Sequence, residues 1–149
     1  MNDIRIFEVR NDEDKSNVLG LSKLWENENI TYGYTACTKE IFDSNRVWII
    51  HEDYFAIGFL YGKQEKSEGM SVIPKDASYF VIDDFYLVPN YRNKGIGTIF
   101  FEYVEQQLKN EGIEYVLLST ATKNHEKITR FYTEKVGLTV WTTTLFKKL

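Results

Sequence analysis

Apolar residues recur along this chain with two periods, and each change of period marks a predicted element. Apolar and charged residues alternate over Arg5 to Val9, which predicts a first strand. After a polar stretch that suits a helix start, Val18, Leu21, Leu24 and Trp25 recur at helical spacing. The chain is therefore predicted to open with a strand and a helix.

The middle of the chain favours antiparallel strands. A short helical piece is predicted over Lys39 to Phe42, and the strand-like runs Arg46 to Ile50 and Tyr54 to Tyr61 follow it. Residues 51–53 between these runs suit a hairpin turn. The polar stretch from Gln64 to Ser78 predicts an exposed loop.

The second half of the chain alternates strands with helices. Strand composition returns over Tyr79 to Val88, and a helix with an apolar stripe follows and ends near Gly112. The last predicted elements are a strand, a helix stopped at Gly137 and a final strand, over Tyr115 to Ser119, Glu126 to Lys135 and Thr139 to Leu145. The order β, α, α, β, β, β, α, β, α, β predicts a mixed α/β fold in a single domain spanning residues 1–149.

Composition narrows the classes of function. A hydrophobic content of 43% suffices for one core, and Cys37, the only cysteine, cannot form an intrachain disulfide. Two histidines and one cysteine provide no metal-ligand cluster, so no metal is expected. The net charge of -4 argues against nucleic acid and favours a cationic small molecule as partner. No apolar run approaches the ~20 residues of a membrane span, so we expect no membrane association and a cytoplasmic protein.

A glycine loop stands between the strand that ends near Val88 and the following helix. Gly95 and Gly97 allow backbone amides to point at one position, and the helix N-terminus adds partial positive charge there. An anion, such as a pyrophosphate, is therefore expected at Arg92 to Thr98. An ordinary tight connection between a strand and a helix also fits, whereas the spacing excludes Walker A and Rossmann loops.

The segment Arg92-x-x-Gly95-x-Gly97 resembles the acetyl-CoA pyrophosphate loop of the GNAT superfamily of N-acetyltransferases, and residues 124–138 look like a later motif of that family. The resemblance implies a central, mostly antiparallel sheet flanked by helices, with strands splayed to hold acetyl-CoA. It also implies which residues bind that cofactor. The backbone of Phe85, Tyr86 and Leu87 and the residue Asn124 or His125 would contact the pantetheine arm, and Arg92, Asn93, Lys94, Gly95, Ile96, Gly97 and Thr98 would hold the pyrophosphate.

Two carboxylates interrupt the apolar strand before this loop. Neighbouring residues of a strand face opposite ways, so Asp83 and Asp84 are expected on opposite sides of the sheet. Acetyl transfer to an ammonium group requires a base, which a carboxylate can provide. The string around these residues is similar to the spermidine/spermine acetyltransferase branch, which implies that Asp83 is the base and that Asp84 binds the acceptor. A solvated strand edge, or an ion pair with Arg92 or Lys94, is the structural alternative.

A tyrosine is the candidate for the group that protonates the leaving thiolate. The resemblance implies this role for Tyr132, although Ile128 replaces a small residue and both neighbouring spacings are one residue longer than in the family. Tyr132 could therefore be rotated away from the thiolate. The two histidines, His125 at a helix start and His51 in the hairpin turn, are interpreted as solvated.

The acceptor site is expected at the end of the first helix and in the loop after it. Glu28 and Tyr34 in this segment suit a cationic amine through charge and cation–π contact, although ordinary helix charges and core aromatics would give the same pattern. A primary amine of a polyamine, a diamino acid or an aminoglycoside-like molecule is the predicted acceptor. The alternatives are a catalytically inactive CoA-binding sensor, a protein N-terminal or lysine acetyltransferase, and an α/β interaction module. The β-rich end, Val140 to Phe146, makes a homodimer plausible.

Overall fold

The structure, a computed structural model, describes residues 2–149. Its strands are β1 (Ile4–Glu8), β2 (Arg46–Glu52), β3 (Phe55–Lys66), β4 (Ser78–Leu87) and β5 (Tyr115–Leu118). Its α-helices are α1 (Asp12–Glu28), α2 (Ile41–Ser44), α3 (Ile96–Asn110) and α4 (His125–Arg130). No helix among residues 2–149 is long and apolar enough to cross a bilayer.

The five strands form one sheet in the order β1-β2-β3-β4-β5. The first three pairs are antiparallel, and only β4 and β5 run parallel. The parallel pair requires a crossover, which α3 provides. The predicted fold class, a mixed and mostly antiparallel sheet flanked by helices, is confirmed.

Alternation along the strands divides the core between two faces of the sheet. In β2, Val47 and Ile49 pack with Val18 and Leu21 of α1. Trp48 and Ile50 face the other way and join the buried stripe of α3, which consists of Phe100, Phe101, Val104 and Leu108. The helix patterns read from the sequence thus correspond to the two faces that bury this sheet.

A β-bulge interrupts β4 at the paired carboxylates. Tyr61 pairs with Asp84 and Gly62 pairs with Ile82, so Asp83 is an extra residue without a partner on β3. Simple alternation therefore does not hold through this segment. The close approach of the β3 and β4 backbones here depends on glycine, because a Cβ on Gly62 would lie 1.9 Å from the Val81 carbonyl oxygen.

The parallel strands β4 and β5 part at the bulge. The parallel register of β4 and β5 ends at Ile82 and Leu118. On its other edge β4 stays paired with β3 as far as Leu87. One backbone edge of residues 83–87 therefore has no strand beside it, and we call it the open edge of β4.

The helix that carries Tyr132 contains a π-helical turn over Phe131–Lys135. The Val136 amide donates to the Phe131 carbonyl, five residues earlier, at 3.3 Å. The wider turn accommodates one additional residue before Gly137, which has a φ of 77°. This explains the longer spacing after Tyr132, while the longer spacing before it lies outside the π-helical turn.

Several predicted boundaries are wrong. Residues 139–149 form no strand and are exposed, because a β-prone segment needs a partner strand and none lies beside this one. The loop predicted from Gln64 to Ser78 covers only residues 67–77, since β3 and β4 extend into it. His51 belongs to β2 and is buried against Asp14, 3.2 Å from its carboxylate, so the prediction of a solvated histidine is also wrong.

Candidate active site

The glycine loop places unpaired backbone amides beside the open edge of β4. A turn of 3₁₀-helix over Pro89–Tyr91 follows β4, and α3 begins at Ile96. Asn93 and Gly95 have positive φ values of 62° and 81°. Because the first amides of a helix have no partner within it, this segment presents N–H donors to an anion. The backbone geometry therefore fits a phosphate group.

The open edge of β4 suits an extended ligand with amide groups. The backbone groups of Phe85 lie on this edge and have no neighbouring strand, whereas the Tyr86 carbonyl faces β3, where it would lie 2.5 Å from a Cβ on Gly58. The Leu87 carbonyl, in contrast, accepts a hydrogen bond from Arg92 Nε at 2.7 Å. Pantetheine carries two amides that can bond with such an edge, so the residues present fit the acetyl-CoA predicted from the sequence.

The Arg92 side chain is bound within the protein. Its two terminal nitrogens donate to the Glu28 carboxylate at 3.0 and 2.9 Å, and Glu28 also accepts a hydrogen bond from the Tyr86 hydroxyl. The guanidinium group lies 5.4 Å from the centre of the Tyr86 ring. Two residues predicted for different ligands, Arg92 and Glu28, thus form one ion pair that joins the loop to the end of α1.

Asp84 is the buried member of the carboxylate pair. It is 8% exposed, and its Oδ2 accepts hydrogen bonds from the Tyr34 hydroxyl at 3.0 Å and from the Cys37 thiol at 3.3 Å. Within residues 2–149 it forms no ion pair. Burial, with the neighbouring charge of Asp83, raises the pKa of the Asp84 carboxyl.

Asp83 occupies the bulge and is exposed. Partial burial raises the pKa of its carboxyl, while the positive charge of Lys63 acts in the opposite direction. Neither Arg92 nor Lys94 pairs with Asp83 or Asp84. A carboxylate with a raised pKa is better suited to accept a proton from an ammonium group than an ordinary one.

Tyr132 lies on the α3 side of the sheet. Its ring packs edge-on against Phe101 and Phe131 at centroid distances of 6.4 and 5.2 Å. Burial raises the pKa of Tyr132 to about 12, so the hydroxyl keeps its proton at neutral pH. Among residues 2–149, no side chain or backbone group bonds with this hydroxyl. The hydroxyl therefore retains its capacity to donate.

Asn124 and His125 begin α4 and are both exposed. The backbone N–H of Asn124 donates to Thr122 Oγ1 at 3.1 Å, and the Asn124 side chain makes no capping hydrogen bond. Both side chains are accessible, so the choice between them for the pantetheine arm stays open.

The loop after α1 is bound directly to the segment before α4. Thr31 and Thr122 form an antiparallel bridge, the Tyr32 amide donates to the Ala121 carbonyl at 2.8 Å, and the Lys123 amide donates to the Ile30 carbonyl at 2.8 Å. We call residues 30–32 with residues 121–123 the strap. The strap joins the expected acceptor loop to the expected pantetheine segment.

Tyr34 does not present a free hydroxyl to an acceptor. Its ring stacks on Trp25 with centroids 4.0 Å apart, and Trp25 stacks in turn on Tyr86 at 5.4 Å. Its hydroxyl bonds with Ser22 and Asp84. Tyr34 therefore supports Asp84, in addition to any contact of its ring with a ligand.

Sequence reasoning missed three members of the Asp84 cluster, namely Ser22, Cys37 and Tyr61. Ser22 lies within α1 and Tyr61 within β3, and their contacts join residues far apart in the sequence. One signal was present, because Ser22 stands on the same helical face as the apolar residues Val18 and Leu21. A polar residue on a buried stripe indicates a hydrogen-bonded partner.

The open edge of β4 and the amides at the start of α3 together fit an acyl-CoA, the substrate of an acyltransferase. The chain belongs to the acetyltransferase (GNAT) family, whose family model matches residues 8–138. It is accordingly an N-acetyltransferase. No curated protein matches the chain.

Solved structures share this fold over nearly the whole chain. An aminoglycoside acetyltransferase from an uncultured soil metagenomic sample, in complex with sisomicin, is 16% identical, with a TM-score of 0.69 over 98% of this chain and 96% of that one. An acetyltransferase of Trypanosoma brucei is 15% identical, with a TM-score of 0.70 over 99% and 100%. A predicted acetyltransferase from Clostridium acetobutylicum with acetyl-CoA is 16% identical, with a TM-score of 0.70 over 97% and 96%.

Proposed function

We propose that this chain transfers the acetyl group of acetyl-CoA to a primary amine of a small cationic acceptor, by direct attack of the amine in a ternary complex. The observation that carries the proposal is Asp84, a buried carboxylate without a cationic partner, close to the open edge of β4. A buried charge without a counter-ion is costly, and an ammonium group of the acceptor would provide one.

In this proposal the cofactor is held mostly by backbone groups. The open edge at Phe85 to Leu87 bonds with the pantetheine arm, and the amides of residues 93–98 bind the pyrophosphate. Asn124 or His125 completes the pantetheine site. The Arg92 side chain acts indirectly, since its ion pair with Glu28 fixes the start of the loop.

Two groups of the chain move protons in the proposed reaction. Asp83, exposed at the bulge, accepts the proton of the acceptor ammonium through water, and the neutral amine then attacks the thioester carbonyl. Tyr132 donates its proton to the departing thiolate, and the raised pKa of its hydroxyl keeps that proton available. The second proton, which the attacking nitrogen loses as the amide forms, returns through water to Tyr132. The products are the acetylated amine and CoA.

The acceptor side selects for positive charge. Asp84 binds an ammonium group and Tyr34 supports Asp84, while Glu28, the other predicted acceptor contact, has its charge offset by Arg92. Similarity to the spermidine/spermine branch favours a polyamine, and the neighbour with bound sisomicin favours an aminoglycoside-like acceptor. A diamino acid fits the same charges.

The proposal is tested first by the melting temperature with and without acetyl-CoA. A ligand at 100 times its dissociation constant adds about 2.7 kcal/mol to the free energy of unfolding. Gly97→Leu should abolish the increase, because its side chain adds bulk beside the loop amides, where a Cβ would already be in van der Waals contact with the Phe131 ring at 3.5 Å. Gly20→Leu is the matched control, since Gly20 is exposed on α1 with open space around it. No increase at millimolar acetyl-CoA would contradict the proposal.

We further propose a cytoplasmic homodimer. The support is the apolar surface of residues 139–149, where Leu145 and Phe146 are 83% and 79% exposed. A second copy could cover this surface.

A further inference from the structure

Ser22 lies too deep to touch a ligand, yet it begins a chain of hydrogen bonds that ends at Asp84. It is 0% exposed, and its Oγ accepts the Cys37 amide proton at 2.8 Å. An ionised carboxylate can only accept, so the Tyr34 proton goes to Asp84. The hydroxyl of Ser22, 2.6 Å from that of Tyr34, therefore donates to Tyr34.

Both donors to Asp84 use the same oxygen. The Tyr34 hydroxyl and the Cys37 thiol bond with Oδ2, and no group among residues 2–149 bonds with Oδ1. Every fully buried polar side-chain atom of these residues has a partner, so Oδ1 is not fully buried. One oxygen of Asp84 is thus held by the protein and the other is accessible.

The groups around Asp84 are neutral or negative. They are Ser22 on α1, Tyr34 and Cys37 in the following loop, Tyr61 on β3 and Asp83 on β4. Burial raises the pKa of the Asp84 carboxyl, and the hydrogen bonds from Cys37 and Tyr34 oppose that rise. The negative charge of Asp84 is therefore supported by hydrogen bonds alone.

We infer that Ser22 and Cys37 are positioning residues for the acceptor: Ser22 acting through Tyr34, and Cys37 directly, hold Asp84 ionised by its Oδ2 and leave Oδ1 to bind an ammonium group. The inference rests on the proposed function, in which Asp84 binds the acceptor. It assigns a role to two residues that lie outside the predicted site.

The test compares Ser22→Ala, Cys37→Ala and Asp84→Asn with the wild type. Ser16→Ala is the control, because Ser16 is an exposed serine of the same helix. The measurements are the KM for a diamine and for a monoamine of equal length, and the pH dependence of kcat/KM. Melting temperature and acetyl-CoA affinity check the fold. If Ser22→Ala does not fold, Tyr34→Phe is used instead, because it removes the hydroxyl that connects Ser22 to Asp84.

Cys37→Ala should raise the diamine KM about tenfold, as expected for loss of a hydrogen bond to a charged group, with a smaller change for the monoamine. Ser22→Ala should raise the diamine KM less, because Ser22 bonds with Tyr34 and not with Asp84 itself. The acidic limb of the pH profile should move to higher pH. Cys37→Ser, which retains a donor, should lie closer to the wild type than Cys37→Ala.

Two further results would overturn the inference in different ways. If Asp84→Asn raises the diamine KM while Ser22→Ala and Cys37→Ala change neither KM nor the acidic limb, the positioning roles are wrong and the proposed function stands. If Asp84→Asn also leaves the diamine KM unchanged, the acceptor site of the proposed function fails together with the inference.

Discussion

The cofactor side and the acceptor side of the site are built from different parts of the chain. The cofactor side, which comprises the open edge of β4 and residues 92–98, offers backbone groups. The acceptor side offers side chains, with Asp84 bonded to residues 47 and 50 positions away in the sequence. A backbone site tolerates any residue that permits the turn, whereas a side-chain site depends on each member. We therefore expect substitutions to affect the two sides differently.

The largest expected effect is at the junction of the two sides. Asp83→Asn should lower kcat by about 10²- to 10⁴-fold, as is typical for loss of a general base, and should leave acetyl-CoA affinity unchanged. Steady-state kinetics and a thermal shift with acetyl-CoA measure the two quantities. Asp43→Asn, an exposed acid of α2, is the control. A kcat close to that of the wild type would show that Asp84 or water alone takes the proton.

A smaller effect is expected on the cofactor side. Tyr132→Phe should lower kcat by about 10²-fold through loss of a proton donor, with little change in the KM of the acceptor. Tyr103→Phe is the matched control, because Tyr103 is exposed on α3. An inactive Asp83→Asn together with a fully active Tyr132→Phe would mean that the thiolate leaves without help from the protein. If neither change alters turnover, the chain catalyses the transfer without the proton transfers assigned to Asp83 and Tyr132.

The smallest expected effect concerns stability. Asp84→Asn should stabilise the folded protein, although the same substitution should weaken acceptor binding. The folded state raises the pKa of Asp84, so the folded protein binds this proton more tightly than the unfolded chain does. Stability is therefore lost as the pH rises from the ordinary value of about 4 through the raised pKa. Asp84→Asn removes this loss, so its free energy of unfolding at neutral pH should be about 1 kcal/mol higher than that of the wild type. Urea denaturation at pH 4 and pH 7 measures the free energy of unfolding of both proteins. A difference between variant and wild type that is the same at both pH values would contradict the prediction.

The same contrast explains what could be predicted from the sequence. Gly95 and the start of α3 were predictable because a positive φ and a helix start leave a local pattern. The pairing of Arg92 with Glu28 was not, since the two residues are 64 positions apart and each suits a ligand equally well. The bulge at Asp83 was missed because two consecutive carboxylates also fit a regular strand, in which they would face opposite sides of the sheet. The strand predicted over Thr139 to Leu145 is absent, because a high β propensity does not by itself place a partner strand beside the segment.

The π-helical turn over Phe131–Lys135 has a consequence for comparing this chain with its relatives. One extra residue in an α-helix would ordinarily rotate everything after it by about 100°. Here the wide turn absorbs that residue locally, so residues before and after it can keep the faces they would have in a shorter relative. The turn has the geometry that a one-residue insertion into an α-helix produces. Correspondences between this chain and its relatives should shift by one position at this turn, and deletion of Glu134 should restore an unbroken α-helix while Tyr132 stays in place.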